Sequence, residues 1–149
     1  MEVYRITLAK YAQQLIAPGT EARWNSRGYF VIYTAGSRAL ACLENLVHRD
    51  SEGLKNLFKV IVINIPDEVE ITEIPETDLL ENWTKSNNLY QTRQMGNTWL
   101  RSLNSCVLKV PSAIIKGEFN FLINPAHPSF LKIQIKAIEE FEFDSRLKQ

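Results

Sequence analysis

The stretch FKVIVINIP, residues 58–66, constrains the fold more than any other part of the chain. It is a continuous apolar run rich in Val and Ile and closed by Pro66. β-branched side chains suit an extended backbone. A run with no polar alternation has no face to offer to water, so it reads as a central strand buried on both faces.

The remaining elements fit around that strand. VYRITL, residues 3–8, is a short first strand, and AKYAQQLIA is a short helix stopped by Pro18-Gly19. Tyr29–Thr34 is a second strand. GSRALACLENLVHRD follows as the clearest helix, with Leu40, Leu43 and Val47 at helical spacing and Ser37 as cap. VEITEIP alternates as a half-exposed strand, and ETDLLENWTK and YQTRQMGNTWLRS read as two helices, the second weakened by Gly96. CVLKVPSAII is a strand broken at Pro111, and GEFNFLINPAHP is a strand with a turn at Asn124-Pro125. FLKIQIKAIEEFEF is the last long strand or strand pair. Strands outnumber helices and do not alternate with them. The expectation is an α+β fold, one domain over residues 1–149, with a mixed and mostly antiparallel sheet and short helices.

Composition removes several classes of function. Lys and Arg together equal Asp and Glu, 17 each, and the basic residues are scattered. There is no general electrostatic drive toward nucleic acid or anionic lipid. No apolar run approaches a membrane span, and MEVYRITLAK does not look like a secretory signal, so a cytoplasmic protein is expected. Cys42 and Cys106 read as two reduced, buried thiols. The two histidines, His48 and His127, have no Cys or His at metal spacing, and no metal or tightly held cofactor is expected. P-loop, dinucleotide-binding glycine and nucleophile-elbow motifs are missing too.

One residue stands out on helix geometry. Glu44 lies one turn after Leu40 and one before Val47, at the edge of the apolar stripe. A carboxylate there either reaches solvent or stands at the rim of a pocket. The residues alone leave both readings open. Plainer readings also exist for Arg23 as a loop arginine paired with an acid, Tyr33 as a strand tyrosine, and Ser112 as a turn serine after Pro111.

A longer pattern links these positions. Arg23-Trp24-Asn25 is followed by two residues and Gly28, then by a strand ending Tyr33-Thr34-Ala35, then by Leu40-Ala41-x-Leu43-Glu44. Val110-Pro111-Ser112 and Asn124-Pro125-x-His127-Pro128 come later. This pattern resembles the RES-domain family, from VYRI to NPAHPSF. The resemblance implies an ADP-ribosyltransferase-like fold and action on NAD as a substrate. It implies the toxin of a type II toxin–antitoxin pair that depletes NAD by hydrolysis or phosphorolysis and arrests bacterial growth. It further implies an Xre-like antitoxin covering the active site, and a homodimer.

By the same resemblance, Arg23, Tyr33 and Glu44 are the catalytic candidates. Arg23, Tyr33, Ser112, Asn25, Asn120 and Arg5 are the candidates for holding NAD. Arg23 offers a planar fork for the pyrophosphate and Tyr33 a ring for the nicotinamide. Glu44 would steady the positive charge that develops on the ribose when the glycosidic bond breaks. Ser112 would add a hydroxyl, Asn25 and Asn120 would orient pocket loops, and Arg5 would add a second positive charge. The helix opening at Gly36-Ser37 also suits an anion. Trp24 is expected to pack beneath its loop and His127 to build a turn, while Arg27 has no assigned role. A protein mono-ADP-ribosyltransferase using the same pocket, or a non-catalytic binding protein, are the competing functions.

Overall fold

A computed structural model describes residues 1–148. Seven strands form one sheet: β1 Glu2–Leu8, β2 Ile32–Ala35, β3 Phe58–Asn64, β4 Ile71–Glu73, β5 Val107–Pro111, β6 Phe119–Ile123 and β7 Gln134–Phe141. Their order is β4-β5-β6-β2-β1-β3-β7. Only β4 and β5 pair in parallel; the other neighbours are antiparallel. Two helices complete the fold, α1 Arg38–Leu46 and α2 Tyr90–Ser102. The architecture is α+β, as the strand count implies.

The apolar run 58–66 is covered on both faces. Phe58, Val60 and Val62 pack with Leu40 and Ala41 of α1. Ile61 and Ile63 point the other way, into a cluster with Val3, Ile32 and Ile123. That second face is roofed by Ala12, Leu15 and Phe130, which lie outside the two α-helices. β3 lies between β1 and β7, one place from the sheet edge.

Both helices lie on the same face. Ala35 packs with α1. Tyr33, two residues earlier on the same side of β2, stands opposite Leu122, and Leu122 packs with Trp99 and Leu100 of α2. So α1 covers the β1–β3 half and α2 the β5–β6 half. Ser37 caps α1, its hydroxyl accepting from the Leu40 amide at 3.1 Å. No helix among the described residues is long and apolar enough to cross a membrane.

Two expected helices are not formed. AKYAQQLIA makes a single 3₁₀ turn, Ala9–Tyr11, because Ala12 and Leu15 are drawn onto the roofed face of the sheet. ETDLLENWTK makes one 3₁₀ turn, Glu76–Asp78, and then a series of turns. There, Trp83 is drawn into the α2 cluster against Trp24, ring centroids 6.2 Å apart. The carbonyls of Trp83 and Thr84 are taken by a side chain instead of a helix ladder. The final segment is one strand, preceded by a 3₁₀ turn at Pro128–Lys132.

Candidate active site

The site begins as a gap in the sheet. β1 and β2 share one register pair, Tyr4↔Ala35, and then part. The Tyr33 carbonyl accepts from the Arg5 guanidinium at 3.3 Å instead of from a β1 amide. A cavity of about 490 Å³ opens there, lined by Arg5 and Thr7 of β1, by Tyr33 of β2, and by Glu44, His48 and Arg49 from α1 and the chain just beyond it. A second cavity of about 350 Å³ lies toward α2, with Arg23, Leu89, Arg93 and Ile114 in its wall. Tyr33, Glu44, His48 and Asn120 line both cavities.

The loop preceding β2 is held rigidly. The Tyr33 hydroxyl donates to Asn25 Oδ1 at 2.6 Å and accepts from the Trp24 amide at 3.0 Å. The Asn25 amide group donates to the carbonyls of Thr20 and Tyr29, at 2.9 and 3.0 Å. From α2, Thr92 donates to the Arg23 carbonyl at 2.7 Å and Arg93 to the Ala22 carbonyl at 2.8 Å. Gly28 closes the turn at φ +87°, a conformation that favours glycine. Trp24 is packed beneath the loop, as expected, and is 3% exposed.

Burial pushes the Glu44 carboxyl above its ordinary value, while the neighbouring Asn120 side chain and Arg23 guanidinium pull it back. Partial burial pushes the His48 imidazole down, and Arg23 and Arg49 act in the same direction. His48 is therefore uncharged at neutral pH. Burial also drives the Tyr33 hydroxyl far above the ordinary tyrosine value, so it stays protonated and serves as a structural tie.

The other expected positions divide. Arg23 lines the second cavity, but two of its nitrogens donate to the carbonyls of Trp83 at 2.6 Å and Thr84 at 3.0 Å. Its fork is thus committed in large part to the protein. Arg5 lines the first cavity. Asn25 is 1% exposed and occupied by loop carbonyls, so it shapes the loop and does not line either cavity. Ser112 also lines neither cavity: its hydroxyl accepts from the Ile114 and Ile115 amides, both at 3.0 Å. Its effect on the site runs through the turn that carries Ala113 and Ile114 into the second cavity. The opening of α1 faces Glu118, whose carboxylate meets the Ser37 hydroxyl at 3.4 Å, so it is not placed for a phosphate. His127 caps a turn, Nδ1 accepting from the Ser129 amide, and Arg27 is exposed.

The motifs in the sequence do not point to His48, Arg49 or Arg93. His48 had a signal, since it falls four residues after Glu44 and shares its helical face. Arg49 and Arg93 had none, because their roles depend on the gap between β1 and β2 and on the docking of α2.

The RES domain family model matches residues 2–144. The chain belongs to the RES family. Its relatives place it among the RES toxins. It is 36% identical over 154 residues to Toxin Res of Yersinia enterocolitica, covering 99% of this chain and 100% of that one. It is 37% identical over 130 residues to the Prs ADP-ribosylating toxin of Sphingobium sp., covering 86% and 81%. Its fold is similar to a chain in the crystal structure of the M. tuberculosis MbcT–MbcA toxin–antitoxin complex. That match has a TM-score of 0.75 and 16% identity, over 95% of this chain and 84% of the other. The resemblance drawn from the motifs therefore holds over nearly the whole RES chain. The cavities lie within the matched region.

Proposed function

We propose that this RES protein is a toxin that cleaves the nicotinamide–ribose bond of NAD. The observation that carries this reading is the placement of the Glu44 carboxylate and the Tyr33 ring where two cavities meet, with Arg23 on one side. A dinucleotide is a two-ended ligand, and its scissile bond needs a negative group beside the ribose. As the bond from ribose C1′ to the pyridinium nitrogen breaks, its electron pair leaves with nicotinamide, which departs neutral. No proton has to be supplied to the leaving group. Positive charge develops on the ribose, and Glu44 stabilises it. A carboxylate held in a partly desolvated place does this better than one in water. Water or phosphate then takes C1′ and releases a proton.

Arg23 gives the pocket a fixed positive wall, anchored by Trp83 and Thr84, and Tyr33 provides a ring face for nicotinamide. The fold neighbour comes from a toxin–antitoxin complex, which supports an antitoxin as partner here. Such a partner silences the toxin by closing the approach to Glu44. The second reading, transfer of ADP-ribose to a protein, is favoured by one relative's description as an ADP-ribosylating toxin. Both reactions use the same bond cleavage and differ in the acceptor.

Incubating the purified protein with NAD, with and without phosphate and without a protein acceptor, separates them. Released nicotinamide with ADP-ribose or its phosphorylated form supports the first reading. Intact NAD in both mixtures overturns it, and labelled ADP-ribose on a cellular protein then supports the second.

A further inference from the structure

Residues 84–88, Thr-Lys-Ser-Asn-Asn, contain no apolar side chain, and four of the five are exposed. Burial therefore does little to hold this turn. It closes mainly on itself. The Lys85 amide donates to the Asn82 carbonyl at 3.1 Å, and the Asn88 amide donates to the Lys85 carbonyl at 3.2 Å. The Asn88 side chain spans the neck of the turn, donating to Asn82 Oδ1 at 2.8 Å. Among the described residues, one hydrogen bond ties 84–88 to chain outside 82–88. It runs from Arg23 Nη2 to the Thr84 carbonyl, at 3.0 Å and exposed.

Both ends of the turn are fixed. Trp83 is 3% exposed and packs against Trp24, and its carbonyl accepts from Arg23 Nη1 at 2.6 Å. The Leu89 carbonyl accepts from the Thr92 hydroxyl at 3.2 Å and the Arg93 amide at 3.0 Å. A polar segment tied by one exposed bond between two fixed points opens at low free energy. It also has a place in the site, because Ser86 and Leu89 line the second cavity beside Arg23, Tyr33 and Glu44. Arg23 does not move with the turn, since its own loop is held by Tyr33, Asn25, Thr92 and Arg93. A guanidinium nitrogen bonds an anionic oxygen more strongly than a neutral carbonyl.

We propose that residues 84–88 are a self-inhibiting lid on the second cavity, hinged between Trp83 and Leu89 and latched by Arg23 Nη2. In the closed state the Thr84 carbonyl occupies a donor on the cavity wall. An anionic group entering the cavity replaces that carbonyl on the same nitrogen, and the lid lifts while Arg23 and Trp83 stay in place. Access to the site and release of the lid are then one event. That the incoming anion belongs to NAD rests on the cleavage reading; the lid and its latch do not.

The test is hydrogen exchange followed by mass spectrometry on the whole chain, reading the amides of 84–89 against those of β2 and β6. Arg23→Met and Asn88→Ala are compared with wild type after thermal melts. Arg23→Met removes the latch, and Asn88→Ala weakens the neck while leaving Arg23 in place. Each speeds exchange at 84–89 roughly ten-fold or more, with β2 and β6 unchanged. In wild type, saturating ADP-ribose or inorganic pyrophosphate speeds exchange there as well. Asn88→Ala also binds the same probe at least about two-fold more tightly in calorimetric titration, because a lid that is open more of the time competes less for Arg23. A merely structural turn would bind more weakly when loosened. Unchanged exchange in a folded Arg23→Met overturns the latch. If that variant does not fold, Asn88→Ala decides, and exchange and affinity equal to wild type overturn the lid. Slower or unchanged exchange at 84–89 with a bound probe, or no binding of either probe by wild type, overturns the replacement of the Thr84 carbonyl. Lid release by pyrophosphate in a protein that leaves NAD intact upholds the lid and overturns the cleavage reading.

Discussion

The Tyr33 hydroxyl joins the two halves of the site by donating to Asn25 Oδ1 at 2.6 Å while accepting from the Trp24 amide at 3.0 Å. One oxygen thus holds the Arg23-bearing loop to the strand that faces Glu44. Tyr33→Phe removes it and leaves a buried carbonyl oxygen and a buried amide without partners, at a cost of about 1–3 kcal/mol. Urea denaturation should show that loss in the unfolding midpoint. NAD cleavage should fall less than in Tyr33→Ala, because the ring that faces the cavities is kept.

Glu44→Gln should separate stability from activity. Burial raises the Glu44 carboxyl in the folded protein above its unfolded value. At neutral pH the ionised carboxylate is therefore a burden on the fold that glutamine does not carry. As pH falls through the folded value the wild-type side chain takes up its proton and the difference shrinks. Below the ordinary carboxylate range it is gone. Melting scans should find the variant more stable at pH 7.5 and level with wild type at the acid end. NAD cleavage should drop about 10²–10³-fold, the scale for losing one charge-stabilising group. A variant less stable at pH 7.5 would show that Glu44 is well solvated or fully paired.

Gly96 illustrates how far the sequence could be read. Within YQTRQMGNTWLRS it looks like a weak point in a helix, and α2 does form there. A Cβ at this position would lie 1.7 Å from the Trp24 carbonyl oxygen. The glycine lets α2 approach the loop that bears Arg23. Gly96→Ala gains about 1 kcal/mol of helix propensity, but the overlap is with backbone that cannot rotate away. The net expectation is a loss of at least ~3 kcal/mol, read as a lower urea midpoint, with NAD cleavage falling as well.

The same contrast runs through the chain. Periodicity was enough to find β3 and α1, because burial on both faces and an apolar stripe leave local traces in the sequence. It placed Glu44 at a stripe edge but could not say whether that edge met water or a cavity. The cavity arises because β1 and β2 separate after Tyr4↔Ala35, and no local pattern records a separation between strands. The segment 76–85 misleads in the opposite direction. Its Leu79, Leu80 and Trp83 have helical spacing, yet Trp83 serves as an anchor for Trp24, and Arg23 takes the carbonyls that a helix would use. The family pattern points to Arg23 and Ser112. Their hydrogen bonds show work for the protein frame that the pattern does not specify.

Ser112 provides the sharpest test of that last point. Its hydroxyl oxygen accepts from two consecutive amides, of Ile114 and Ile115, and its own amide donates to the Glu118 carbonyl at 2.8 Å. Ser112→Ala frees the 113–117 turn at a cost of about 1–2 kcal/mol and loosens Ala113 and Ile114 in the wall of the Arg23 cavity. NAD cleavage should fall together with stability. Ser112→Thr keeps the accepting oxygen and should restore both, whereas a serine that only contacted the substrate would leave stability unchanged on mutation to alanine. Paired melting curves and NAD kinetics on the two variants distinguish these outcomes. Loss of cleavage in Ser112→Ala with an unaltered melting temperature would move Ser112 from the turn to the substrate.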